Sequence, residues 1–197
     1  GSTWTNYRKN SGLQHNALNS LALDSSNNLW IGNAMGLTKY NGSQFTNWSY
    51  QNGYGYIGWV DSVAIQNGNL IWMTFAYRLI SFNGTNSWAT YNAPTGPGTV
   101  YPDGLVVDAA GNKWIATRGD GAYSKGNGVL KFDGSNWTIY NTQLADSNAH
   151  DVRVAPNGNI WVLSDLGISK FDGANWTVYN SENGLPWQTQ IIGGEFG

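Results

Sequence analysis

An all-β fold of repeated four-stranded antiparallel sheets is predicted by three observations. Four tryptophans, Trp30, Trp72, Trp114 and Trp161, stand at matching points of one recurring segment, 42, 42 and 47 residues apart. Around each lie short alternating or continuous apolar runs divided by Gly/Asn/Asp turns, the pattern of strands and hairpins. No helical period of useful length occurs, and the five prolines keep mostly to loops. A period in the low forties built of short strands points to a propeller or another stacked array.

Each unit reads as four strands. The first is Leu21-Ala22-Leu23, Val63-Ala64-Ile65, Leu105-Val106-Val107 and Arg153-Val154-Ala155. A turn follows, written DSSNN, QNGN, DAAGN or APNGN, where Gly and Asn accept the positive φ that tight turns require. The second strand holds the repeated Trp: LWIG, IWMT, KWIA, IWVL. The third ends in TKYNG, LISFNG, LKFDG or ISKFDG, where Asn/Asp-Gly makes another hairpin turn, and the fourth is FTNW, WATY, WTIY and WTVY. An additional fourth strand, Trp4-Thr5-Asn6-Tyr7, precedes the first unit, and Gly184-Leu185-Pro186-Trp187 opens a truncated fifth. The reading is a single propeller domain over 3–194, with units near 3–48, 49–91, 92–140 and 141–179 and a partial one at 180–194. Residues 1–2 and 195–197 read as vector-derived ends. Three closures fit: a self-closed ring, a ring completed by a second chain, or a piece of a longer propeller.

Composition excludes several classes. Ten basic residues against twelve acidic, net charge −2, leave no basic stripe able to neutralise several phosphates, so nucleic acid is not an expected partner. The absence of cysteine removes disulfides and thiolate chemistry. No apolar run reaches 18 residues, so no membrane-spanning helix is expected. No leader is visible. The Asn-x-Ser/Thr sequons at Asn41, Asn47, Asn83, Asn136 and Asn175 read as turn chemistry rather than glycan sites.

The segments LNSLALDSSNNLWIG, DAAGNKWIAT, GISKFDGANWTVYN and NGLP resemble the two-component regulator propeller repeat, a blade motif of bacterial extracytoplasmic sensor regions. The resemblance covers nearly the whole chain, and unit two, with LISFNGTNSWATY, departs from it most. It implies an exported bacterial propeller, secreted or periplasmic, that binds a ligand or carries a binding face. It brings no catalytic set to transfer.

The repeat absorbs nine of the eleven tryptophans. Antiparallel connectivity puts the second-to-third and fourth-to-first loops at one end of every sheet. That end carries the aromatics the repeat leaves over: Tyr54, Tyr56, Trp59, Tyr77, Tyr101, Tyr123 and Trp187. Arg78, Arg118 and Asp120 accompany them, the last two as an expected pair shaping the eight-residue insertion of unit three. Flat rings beside hydrogen-bonding side chains suit a carbohydrate or similar polar ligand, and a wet polar face with aromatic anchors also suits a protein. Asn19, Asp61, Asp103 and His150 occupy one slot, four residues before the last apolar position of each innermost strand, and are expected at a channel mouth. Neither a metal nor another cofactor is assigned. Only His15 and His150 could act as imidazole bases, and no nucleophile elbow or phosphate loop is present. The expectation is therefore a non-catalytic binding propeller. The alternatives are a structural or protein-interaction propeller that self-assembles as a homo-oligomer and, less favoured, a propeller-fold lyase.

Overall fold

A computed structural model of the chain describes residues 3–49, 57–94, 100–119 and 125–185. The described residues form sixteen strands and no α-helix; a short 3-10 turn lies at Lys9–Ser11. The strands make four separate antiparallel sheets, each a simple meander in chain order. The first contains β1 (Leu18–Leu23), β2 (Leu29–Asn33), β3 (Gly36–Tyr40) and β4 (Phe45–Trp48). The second contains β5 (Val60–Gln66), β6 (Leu70–Phe75), β7 (Arg78–Phe82) and β8 (Trp88–Asn92). The third contains β9 (Val100–Val107), β10 (Lys113–Gly119), β11 (Gly128–Phe132) and β12 (Trp137–Tyr140). The fourth contains β13 (Ala149–Val154), β14 (Ile160–Ser164), β15 (Gly167–Phe171) and β16 (Trp176–Tyr179). These are the strands and blades that the repeat predicts.

The chain clusters into two compact units, Gly1–Thr90 and Tyr91–Gly197. In the first, the innermost strand β5 packs on β1 and β2. Trp30, Leu37, Trp48, Val60, Val63, Ile71 and Phe82 close the core between the two sheets. In the second, β13 packs on β9 and β10, around Trp114, Val129, Val152, Ile160 and Val162. Both cores carry the same aromatic tetrad. Trp30 stacks on Trp48 (5.4 Å, 23°) and both meet Phe82, which stacks on Trp88. Trp114 stacks on Tyr140 (5.7 Å, 18°) and both meet Phe171, which packs on Trp176. Sequence periodicity thus becomes a repeated packing unit.

A polar contact accompanies the repeat tryptophans. Six residues before three of these Trp, a side chain at the end of the first strand or in the turn that follows accepts the indole N–H: Asp24 from Trp30 (2.9 Å), Gln66 from Trp72 (2.6 Å) and Asp108 from Trp114 (2.8 Å). Asp24 also accepts the backbone N–H groups of Ser26 and Asn28. Burial alone would raise the Asp24 carboxyl, yet the hydrogen bonds from Asn28, Trp30 and these amides hold it below its ordinary 3.8. The third-to-fourth turns work similarly, with Asn41, Asn83, Asp133 and Asp172 accepting amides two and three residues on. The sequons at Asn41 and Asn83 are therefore turn caps.

One sequence expectation fails. Trp4–Tyr7 lies in no strand, and Trp4 is 94% exposed. Its strand-like text finds no backbone partner among the described residues. Instead the segment is fixed by its last side chain: Tyr7 packs on Tyr40 and Phe45, and its hydroxyl hydrogen-bonds that of Tyr40 at 2.9 Å.

Candidate functional site

All four innermost strands carry a β-bulge at the same repeat position. The ladder skips one residue between Leu18 and Ser20, Val60 and Ser62, Pro102 and Gly104, and Ala149 and Asp151. The residues at which the register shifts are Asn19, Asp61, Asp103 and His150. A bulge bends its strand and re-aims the extra side chain, so a position expected to be polar from spacing is polar because it is the bulge. In the first unit Asn19 donates from Nδ2 to the Val60 carbonyl of the next innermost strand (2.9 Å), and Ser20 Oγ accepts the Val63 N–H (2.9 Å). There the bulge side chain ties adjacent sheets together.

In the second unit the bulge residues meet one another. Arg118, at the end of β10, places its Nε 2.5 Å from Asp103 Oδ2. His150 Nδ1 lies 3.8 Å from the same oxygen, and His150 Nε2 contacts Asp165 Oδ1 at 2.5 Å. Asp165 sits in the two-residue β14–β15 hairpin and also accepts the Asn148 amide at 3.1 Å. Asn148 Oδ1 in turn accepts the N–H groups of Gly119 (3.1 Å) and Gly126 (2.7 Å), clamping the base of the unit-three insertion. Tyr101 stands opposite Arg118 across the β9–β10 ladder, with the guanidinium 5.6 Å from its ring centre. Tyr101 is 43% exposed. The result is a continuous polar line, Tyr101–Arg118–Asp103–His150–Asp165–Asn148, at one end of two adjacent sheets.

Electrostatics single out Asp103. Burial pushes its carboxyl above 3.8, more than Arg118 and then His150 lower it, and Asp151 adds like-charge repulsion. Asp151 itself pairs with Arg153 at 2.8 Å on the exposed side. Arg118 reaches Asp103 through its Nε, and its side chain is 47% exposed. The line therefore offers a fixed guanidinium fork, carboxylate acceptors and an exposed phenol ring. No three acidic or histidine side chains among the described residues converge closely enough to hold a metal ion.

The sequence-predicted residues divide as follows. Tyr101 and Arg118 join the line with Asp103 and His150, so two groups that sequence kept separate become one. Arg118 pairs with Asp103; the expected partner Asp120 lies outside the described residues, as do Tyr54, Tyr56, Tyr123 and Trp187. In the first unit Trp59 is 54% exposed just before β5, Tyr77 tips the β6–β7 hairpin, and Arg78 opens β7 exposed. Asn148 is not among the sequence candidates, and Asp165 reads from sequence only as a solvated loop charge. Their signal is weak, because each is an ordinary turn residue whose role depends on the neighbouring sheet. His15 does not join the line: its Nδ1 accepts the Ala17 N–H at 2.9 Å, a local turn role. Loop divergence is narrower than expected as well. Three second-to-third connections are two-residue hairpins, and only the third unit carries an insertion.

Similar solved structures are all-β domains of the same kind. The chain matches the extracellular domain of the hybrid two-component system BT4673 of B. thetaiotaomicron at TM-score 0.68 and 16% identity, over 90% of this chain and 23% of that one. It matches virginiamycin B lyase of Staphylococcus aureus at TM-score 0.63 and 14% identity, over 83% and 55%. PorZ, a surface component of the type-IX secretion system of Porphyromonas gingivalis, matches at TM-score 0.60 and 16% identity, over 82% and 26%. The chain thus spans about a quarter of the sensor domain's length and just over half of the lyase's. No family model matches the sequence, and no curated protein matches it. These likenesses establish a propeller-type fold and agree with the resemblance carried by the repeat. Sensor domains and a lyase share that fold, so function rests on the site.

Proposed function

We propose that the chain is part of a non-catalytic extracytoplasmic binding propeller that holds a carbohydrate or similar polar ligand on the bulge end of its sheets. The observation that carries the reading is the Tyr101–Arg118–Asp103–His150 line. Tyr101 offers an exposed ring for the C–H face of a sugar, and Arg118 and the two aspartates offer donors and acceptors for hydroxyls. Trp59 and Tyr77 are further exposed rings on the equivalent end of the second sheet. The extracellular standing of the similar sensor domain supports an exported setting. A glycan array followed by titration calorimetry tests the reading. At least one oligosaccharide is retained by the wild type, and Tyr101→Ala weakens it ten-fold or more while the circular dichroism spectrum is unchanged. No retained glycan, or retention indifferent to Tyr101→Ala, overturns it.

A propeller-fold lyase is the second reading, favoured by the His150–Asp165 contact, the arrangement that orients a histidine base. The other imidazole nitrogen lies 3.8 Å from Asp103 Oδ2, an oxygen that already pairs with Arg118. Incubation with virginiamycin B, the compound named for the similar lyase, separates the readings. Conversion abolished by His150→Ala favours the lyase, and no conversion leaves the binding reading.

A further inference from the structure

We infer that the first sheet presents a blade-receiving face, and that a second copy of this chain fills it with its Trp161–Tyr179 face. Blade-to-blade packing within each unit follows one rule. The innermost strand offers two apolar residues to the repeat Trp of the preceding sheet: Val63 and Ile65 to the Trp30 cluster, Val152 and Val154 to the Trp114 cluster. The outer strands of the receiving sheet offer an aromatic pair, Phe82–Trp88 or Phe171–Trp176, to the fourth-strand ring of the preceding one, Trp48 or Tyr140.

The first sheet has every part of this receiving face. Leu21 and Leu23 match Val63 and Ile65 in register, and they are 60% and 62% exposed. Tyr40 and Phe45 are its aromatic pair, stacked at 4.5 Å and 24°. A fourth-strand ring already rests on that pair. Tyr7, the last residue of Trp-Thr-Asn-Tyr, lies on Tyr40 and Phe45 as Tyr140, the last of Trp-Thr-Ile-Tyr, lies on Phe171 and Trp176. The seat is thus shown to accept a ring of this kind, while the place of the repeat Trp over the leucines stays open to solvent.

The fourth sheet carries the complementary donor. Trp161 stacks on Tyr179 at 5.9 Å and 22°, the geometry of Trp30–Trp48 and Trp114–Tyr140. Trp30 and Trp114 are buried by the sheet that follows, but Trp161 is only half-buried. Ala155 stands where Asp24 and Asp108 accept the indole N–H, and Trp161 has no such acceptor among the described residues. In the complex Trp161 of one copy covers Leu21 and Leu23 of the other. Tyr179 replaces Tyr7, whose segment has no backbone hydrogen bonds of its own among residues 3–7. The contact is head-to-tail, so it propagates until heads and tails are all matched.

Sedimentation velocity over a range of concentrations tests this. The wild type associates reversibly. Leu21→Asp, which disables the head at an exposed site, and Trp161→Ala, which disables the tail, are each monomeric alone. Mixed in equal amounts they form a heterodimer and nothing larger, because one intact head and one intact tail remain. Tyr7→Ala tightens wild-type association several-fold by vacating the seat. A monomeric wild type, association surviving either single variant, or no heterodimer on mixing overturns the inference. The heterodimer itself reports that both variants are folded, and circular dichroism of each alone checks this independently.

Discussion

At the scale of the residue, the most consequential group is the turn carboxylate that receives the repeat Trp. Asp108 accepts the Trp114 indole, the Asn112 side chain and the Asn112 amide together. Replacing it by Ala strands these donors, and Asp108→Ala is expected to cost roughly 1–3 kcal/mol in urea unfolding. Asp24 and Asp108 are both held below 3.8, so their contribution is present above that pH and is lost as pH falls through the lowered values. Wild-type stability therefore drops on acidification below about pH 3.8, and the Asp108→Ala protein shows a smaller drop. The fourth unit offers the reverse test. Ala155→Asp supplies Trp161 with the acceptor its counterparts have, and should raise stability by about 1 kcal/mol. Asp103 has the opposite sign. Its raised carboxyl contributes most below 3.8, and that contribution is lost as pH rises through the raised value. Asp103→Asn should be no less stable than wild type at pH 7, while binding ligand more weakly.

The elements were largely legible because their signals are local. Strand periodicity, the Asn/Asp-Gly turns and the repeated Trp each act within a few residues, and all sixteen strands fall where those signals place them. Gly128 shows how strict the local rule is. It opens β11 at φ +72°, and a Cβ there would lie 2.1 Å from the Tyr140 carbonyl. Gly128→Ala should destabilise by roughly 1–3 kcal/mol in the same unfolding measurement. Gly36 and Gly167 meet the matching carbonyls of Trp48 and Tyr179, but Arg78 occupies this slot in the second sheet, so that sheet solves the hairpin differently. The bulges were half legible. Polar residues recurring at one slot marked the position, whereas the ladder slip that explains them is a pairing property. The Trp4–Tyr7 text misled because strand sequence is sufficient only where a neighbouring edge is present to pair with. The roles of Asn148 and Asp165 were illegible for a related reason: nothing within their own turns distinguishes a loop clamp from an ordinary Asx turn or a solvated loop charge.

For the molecule as a whole, the repeat specifies a scaffold and leaves function to whatever departs from it. Residues that recur in every unit build the aromatic tetrads and turn caps, and they explain the fold without explaining a ligand. The departures that meet in one polar line lie in residues 91–197. The third sheet has an insertion, and its bulge residue Asp103 lies beside His150, the bulge residue of the fourth, in a continuous polar line. The chain has only two histidines, and one of them sits in that line while the other caps a turn. This gives a direct reporter. The imidazole resonances of His150 and His15 are followed by NMR while an array-selected oligosaccharide is added to the intact protein. Binding at the bulge end shifts the His150 signals in a saturable way and leaves those of His15 in place. Saturable binding that moves His15 alone, or moves neither ring, contradicts the account.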